Sequence, residues 1–547
     1  MAHPTWTRRG VLGAAGGLAA LAAATALTGC GPAGGTGSDG GAAKSAGLKL
    51  PTYKEFTGVT PDLPGNGEGL QPGFLEFPES FAPSTQAKPL SGRVTGLTET
   101  FDVPSPAMAQ NPFWQRLNAK LGGDLDLIIG TDPGYPEKFA TILASNDLPD
   151  MMWVPPNQGL PNVGQMLEAK FTDLTSHLSG DAVLEYPNLA ALKPDSWKTA
   201  VVNGKIWGAP IPSTPFGQVM AGNPAVWEKV GGLQCSTADE FASKAKELST
   251  GNVHALEPAY INMMHMFGEW FGVPNGWRVN ADRTLTWYAE TDNYKAALEY
   301  AAGLFAAGCF HPDANLPDAR PLVAKGTIAA YVSVGPTAVS ELRRYDKTVQ
   351  AEVMIPFGHD GSATPVYDMG YGTVGFTAFK QAEEAKIKEL LSLINWLSAP
   401  FGTTEWVDKN YGTEGEDWIR KGGDIVYTSQ AETNAPGLVS GLVIMSNCES
   451  VIHAAGFPED TRKIHEIEQR LLPLSMQSPV KGTYSDTNSR KGAKIQSEVR
   501  DTIVDVVTGR KKISDFDAAI KRWQETGGND LREEYQKVLP ADVPVTP

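Results

Sequence analysis

Cysteine is scarce in this chain, with 4 in 547 residues and no Cys-x-x-Cys spacing. That excludes a disulfide-stapled scaffold and a thiolate metal site. Basic charge is also short: 46 Lys and Arg stand against 62 Asp and Glu, a net −16. An acidic surface of that size argues against nucleic acid or an anionic membrane face as a partner. The eight histidines are scattered. His465-Glu466 opens a His-Glu-x-x-His pattern, but Gln469 stands where the second histidine is needed. There is no Gly-x-Ser-x-Gly and no glycine-rich Lys-Ser/Thr loop. Gly370–Gly375 formally matches G-x-G-x-x-G, but Phe376–Phe379 continues as apolar strand where a dinucleotide fold begins a helix. No cofactor and no metal are expected. Beyond residue 30 no apolar run reaches the ~20 residues that a membrane-spanning helix needs.

What is present begins with the first thirty residues. Thr7-Arg8-Arg9-Gly10 carries a twin-arginine pair, followed by an almost uncharged Gly/Ala/Leu run to Gly29 and then Cys30. Basic start, apolar middle and small residues before a cut are the parts of an export signal over 1–29. Leu27-Thr28-Gly29-Cys30 resembles a bacterial lipoprotein signal, which implies that Cys30 is acylated and becomes the first mature residue. The twin-arginine pair is a receptor-read address rather than an anchor. Residues 30–50 are Gly/Ala/Ser-rich and bury too little to fold, so they read as a flexible tether. With Cys30 claimed by lipid, Cys235, Cys309 and Cys448 can form at most one disulfide, and three buried free thiols are the other reading.

The remaining length exceeds what one hydrophobic core supports, so two lobes are expected. From Pro51 to about Leu90 the proline and glycine content suits an extended segment lying over a folded body. Val94–Thr98 alternates as a strand, and Asn111–Leu121 has helical spacing. Asp124–Ile129 is a strand, Tyr135–Leu143 a helix and Met151–Val154 a strand, a pitch that requires parallel crossovers. Thr237 caps a helix over Ala238–Leu248, with Glu240 placed for a capping box. A hairpin follows around Ala281-Asp282-Arg283, then a helix from Asp292 to Ala307, and strands at Ile328–Val334 and Thr373–Phe379. The helices Ala382–Leu397, Ile495–Val507, Ser514–Thr526 and Asp530–Leu539 complete the series. The fold class is α/β, with two lobes crossed several times by the chain.

In this order the chain resembles the extracellular solute-binding lipoproteins of ABC importers, in particular the large carbohydrate-binding branch that includes alginate-oligosaccharide binders. The segments that carry the resemblance are Phe139–Asp150, Gly204–Pro210, Ala296–Pro312, Ala324–Tyr331, Ile394–Gly402, Asn410–Trp418 and Ser514–Leu539. The resemblance implies a two-lobed periplasmic-binding-protein-like fold, with a hinge and a ligand cleft between lobes. The lobes expected are 51–212 with 357–400, and 213–356 with 401–547. It implies no catalysis, a carbohydrate ligand, ABC permease subunits as partners, a monomer, and a lipid anchor on the outer face of the cytoplasmic membrane. Two places depart from relatives. Ser249–His254 lacks the run of carboxylates that a calcium loop needs, so no calcium site is expected. Gly222-Asn223-Pro224 stands where relatives often carry Arg-Lys-Asp.

A sugar binder needs flat aromatic platforms and a fringe of hydrogen-bonding side chains. Trp153, at the C-terminal end of a strand, Trp270 and Tyr371, between Gly370 and Gly372, are the candidate platforms. Asn111 and Trp114 begin a helix after a strand, and Thr214 and Gln218 follow the first lobe crossover. Trp227, Trp396 and Trp523 sit on helix faces and read as core. Core packing is the competing reading for each candidate. A binder of peptides or another polar solute on the same fold is one rival, favoured by a charged cleft. A secreted glycoside-processing enzyme is the other, for which Glu269 and Asp368 are the candidate carboxyl pair.

Overall fold

The computed structural model describes residues 47–546, apart from 68, 86–87, 132–133, 156–159 and 161. The export signal, Cys30 and the tether up to residue 46 therefore lie outside the described residues. No helix among the described residues is long and apolar enough to cross a membrane.

Two sheets organise the body. The first has five strands in the order 124–131, 93–100, 151–154, 373–379 and 208–212. Its first three strands run parallel, joined by the helices Pro112–Leu121 and Tyr135–Ser145, while Thr373–Phe379 runs antiparallel to both neighbours. The second has four strands in the order 352–353, 218–222, 328–334 and 254–256. Each sheet has its own buried clusters. Val94, Leu97, Met151, Phe376 and Phe379 belong to the first lobe, and Val219, Ala221, Leu256, Ile328 and Tyr331 to the second. The helices Ala493–Val507, Ile513–Trp523 and Asn529–Val538 bury Val499, Phe516 and Trp523 in the second lobe's core.

Local sequence explains where most elements start. Asn111 caps its helix by accepting the Trp114 N–H, and Pro112 supplies the first helical turn. Thr237 Oγ1 accepts the Glu240 N–H, while the Glu240 carboxylate accepts from Ser236, one residue before the box partner the sequence suggested. Asn223 accepts from Ala225 and donates to the Val323 carbonyl, so the Gly-Asn-Pro departure from relatives is a buried helix cap.

The lobe boundaries differ from expectation in two places. Phe357, Tyr367 and Met369 pack in the second lobe's clusters, not the first. Residues 401–445 return to the first lobe. Leu438, Leu442 and Met445, on the helix Pro436–Met445, pack with Val94 and Leu127, and Thr98 Oγ1 donates to the Gly441 carbonyl. The helix is largely apolar and buries Gly437, Leu438, Gly441, Leu442, Ile444 and Met445, with Val439 and Val443 half-buried on its other side. The chain thus passes between lobes at 213–215, 370–372 and 446–451. The described residues between 47 and 90 form an extended strap. It pairs with Ile452, just past the third crossing, through Ile452 N to Pro72 O (2.9 Å) and Phe74 N to Ile452 O (2.8 Å).

Candidate functional site

The first two crossings lie side by side as an antiparallel ribbon. Ser213 N–H donates to Gly372 O (2.9 Å), Gly370 N–H to Pro215 O (2.9 Å), and Phe216 bridges Met369. A Cβ on Gly217 would stand 2.0 Å from the Asp368 carbonyl oxygen, so the ribbon closes only with glycine there. Tyr371 sits between those two hydrogen bonds, on the peptide where the lobes join. Solvent reaches 44% of it, yet desolvation raises the pKa of its hydroxyl. Exposure together with desolvation is the condition of a side chain on the wall of a cleft.

Beside the ribbon, Tyr367-Asp368 pairs with Ser475-Met476, and Asn275 Nδ2 donates to both the Met369 and Met476 carbonyls. A cavity of about 720 Å³ opens here between the lobes. Asp195 and Lys198 line it from the first lobe, and Gln477, Lys481 and the tail around Asp542 line it from the second. Lys481 Nζ lies 2.5 Å and Lys198 Nζ 3.0 Å from the Asp195 carboxylate. Burial alone would raise the Asp195 carboxyl, but the two ammonium groups outweigh it and its pKa is lowered. Among the described residues the lining holds no aromatic one: these charged and polar side chains stand beside apolar ones such as Met476, Pro479 and Val543, a mixture that suits solutes with both polar groups and apolar faces. None of Asp195, Lys198, Gln477, Lys481 and Asp542 stands in a local pattern that could have marked it from sequence.

Several expected platforms are corrected by burial. Trp153 is 2% exposed; its Nε1–H donates to Val374 O (3.0 Å) and its ring packs 4.8 Å from Tyr135. The strand Thr373–Phe379 covers the edge that a ligand would need. Trp270 is 1% exposed and stacks 4.5 Å from Phe357 inside the second lobe. Asn111 and Trp114 are buried as well, Asn111 donating to Asn434 O and the Trp114 indole to Leu125 O. Both hold the helix start rather than face a cleft. Thr214 donates to Gln71 Oε1 (3.1 Å) on the first crossing. Gln218 is half-buried with its Oε1 unpartnered among the described residues.

Glu269 and Asp368 are brought together, but away from the cavity between the lobes. Glu269 is buried, and one of its oxygens accepts the Asp368 backbone N–H (3.0 Å). Burial, then the Asp368 charge, pushes the Glu269 carboxyl well up, and burial raises Asp368 to about 7. Neither lines the cavity between the lobes. The three cysteines are unpaired: Cys309 and Cys448 are buried and Cys235 is half-buried.

No family model matches the chain. Among curated proteins, lipoprotein LipO of Bacillus subtilis (strain 168) is 20% identical over 482 residues, 82% of this chain and 94% of that protein. The polygalacturonan/rhamnogalacturonan-binding protein YtcQ of the same organism is 19% identical over 437 residues, 76% of this chain and 85% of its own length. Among solved structures, the HMO-binding, ABC-transporter-associated solute-binding protein of Bifidobacterium longum infantis superimposes with a TM-score of 0.62. Its sequence identity is 17%, and the match covers 82% of this chain and 98% of that one. This chain has the fold of a solute-binding protein. In that fold, Tyr371 and the cavity beside it stand where the two lobes meet, while Trp153 and Trp270 are buried each in the core of its own lobe.

Proposed function

We propose that the protein is the substrate-binding lipoprotein of an ABC importer, which captures a carbohydrate between its lobes and delivers it to a membrane permease. The observation that carries this reading is the cleft itself, a cavity shared by both lobes beside an exposed tyrosine on the hinge ribbon. A ligand there touches both lobes at once, and only such contacts favour closure over the open state. The sugar-binding relative and the oligosaccharide-binding structural neighbour support carbohydrate as the ligand class. Acylation of Cys30 would hold the binder within reach of its permease on the outer face of the membrane. No turnover is proposed, because Glu269 and Asp368 lie outside the cavity and Glu269 is buried.

A thermal-shift screen with neutral and uronic-acid oligosaccharides and short charged peptides tests this. A ligand at 100 times its dissociation constant adds about 2.7 kcal/mol, which moves the melting curve visibly. Tyr371→Ala should weaken that ligand about tenfold, the cost of one lost ring contact. A panel in which no sugar shifts the melting curve would overturn the reading. The charged lining from Asp195, Lys198, Lys481 and Asp542 favours a second reading, a charged solute. A shift produced by the peptides alone would establish that one instead.

A further inference from the structure

The cleft is bridged by more than its ion pair. The first-lobe helix Val163–Lys170 has no side-chain cap of its own, and Asn162 before it makes none. Its first two backbone donors are satisfied instead from the other lobe. Val163 N–H donates to Ser489 Oγ (3.1 Å) and Gly164 N–H to the Tyr484 hydroxyl (3.3 Å). Ser489 Oγ in turn donates to Leu160 O (3.1 Å), and the Tyr484 ring packs against the cluster of Leu160, Met166 and Leu167. Four residues before Tyr484 on the second-lobe side, Val480 is anchored in that lobe's core. The bridging segment is itself held rigidly. The Glu534 carboxylate, from the helix Asn529–Val538, accepts from Ser485 Oγ (2.5 Å), Thr487 N (3.0 Å) and Thr487 Oγ1 (2.6 Å).

We infer that residues 481–489 are a built-in clasp that stabilises the closed cleft before any ligand arrives, with Ser489 and Tyr484 as its contacts and Glu534 as its positioning residue. The inference rests on the proposed closure of two lobes on a solute. A helix start with orphan donors exchanges them for water when the lobes part, so the second-lobe hydroxyls reward closure. Lys481 adds the ion pair to Asp195 at the other end of the segment. The clasp therefore sets the fraction of binding-competent molecules, and through it the apparent affinity for whatever solute is bound.

Small-angle scattering of the purified, ligand-free protein tests the clasp without depending on which solute it binds. Tyr484→Phe with Ser489→Ala removes both hydroxyls and should shift the open–closed equilibrium about tenfold toward open. The readout is a larger radius of gyration at an unchanged far-ultraviolet circular dichroism spectrum. Glu534→Gln, which keeps one acceptor oxygen, should give a smaller increase. If the double variant does not fold, Ser489→Ala alone serves, since it removes the hydrogen bonds to Val163 and Leu160. An unchanged radius in folded variants overturns the clasp, whether or not a sugar binds. Failure of every sugar to bind alongside an increased radius overturns the carbohydrate reading and leaves the clasp standing.

Discussion

Gln71 is one residue in the extended strap, yet it touches two of the crossings and the second-lobe helix Pro458–Leu471. Its backbone N–H donates to Glu468 Oε2 (3.0 Å), its Nε2 to Ser450 Oγ (2.6 Å) on the third crossing, and its Oε1 accepts from Thr214 on the first. Glu468 is fully buried with its other oxygen unpartnered among the described residues, and burial raises its pKa to about 8. A carboxyl raised in the folded state binds more protons there than in the unfolded chain. Stability is therefore fully present below the ordinary carboxylate range and is lost as pH rises from about 4.5 to about 8. Glu468→Gln should flatten that decline and raise the melting temperature at pH 8, read from melts taken between pH 5 and 8. An equal slope in both proteins would show that Glu468 does not govern it. The tryptophans carry a related lesson. Their chemistry suits sugar stacking, but Trp270 fills a cavity next to Phe241 and Phe357, and only its neighbours in space reveal that.

At the scale of elements, strands and helices were legible because their signals are local. Alternation over Val94–Thr98 marked the strand Arg93–Thr100, an apolar run marked Thr373–Phe379, and Asn111, Thr237 and Thr291 each cap the helix that follows them. Which lobe an element joins is not a local property. The helix Pro436–Met445 packs on the strand Arg93–Thr100, over 330 residues away in sequence, because its apolar face fits that sheet. Gly441 permits the approach, since a Cβ there would meet Thr98 Cγ2 at 3.2 Å. Leu442→Ala removes a fully buried side chain from this contact and should cost about 2–5 kcal/mol. Hydrogen exchange should then speed up in the strand Arg93–Thr100 and its neighbour Asp124–Thr131. Exchange unchanged in those strands would show that the helix does not support the first lobe's sheet.

For the whole molecule, the three crossings and the strap define a hinge. The cavity and the clasp occupy the place where closure brings the lobes together. The net charge of −16 does not favour binding to anionic membranes, so in the proposed function attachment falls to acylation of Cys30. Cys30→Ser is expected to move the protein from the membrane fraction to the medium without altering its melting temperature. Retention of the variant on membranes would remove Cys30 as the anchor.

The sequence by itself determined most of the elements and the α/β class, because periodicity and caps are carried by neighbouring residues. It also marked Tyr371, whose flanking glycines announced a displayed aromatic. Only the tertiary structure decided that Trp153 and Trp270 are buried in the cores, that 401–445 belong to the first lobe, and that Ser489 caps a helix 326 residues away. Burial and lobe-to-lobe contact depend on which segments pack together, and packing is a property of the assembled chain rather than of any stretch within it.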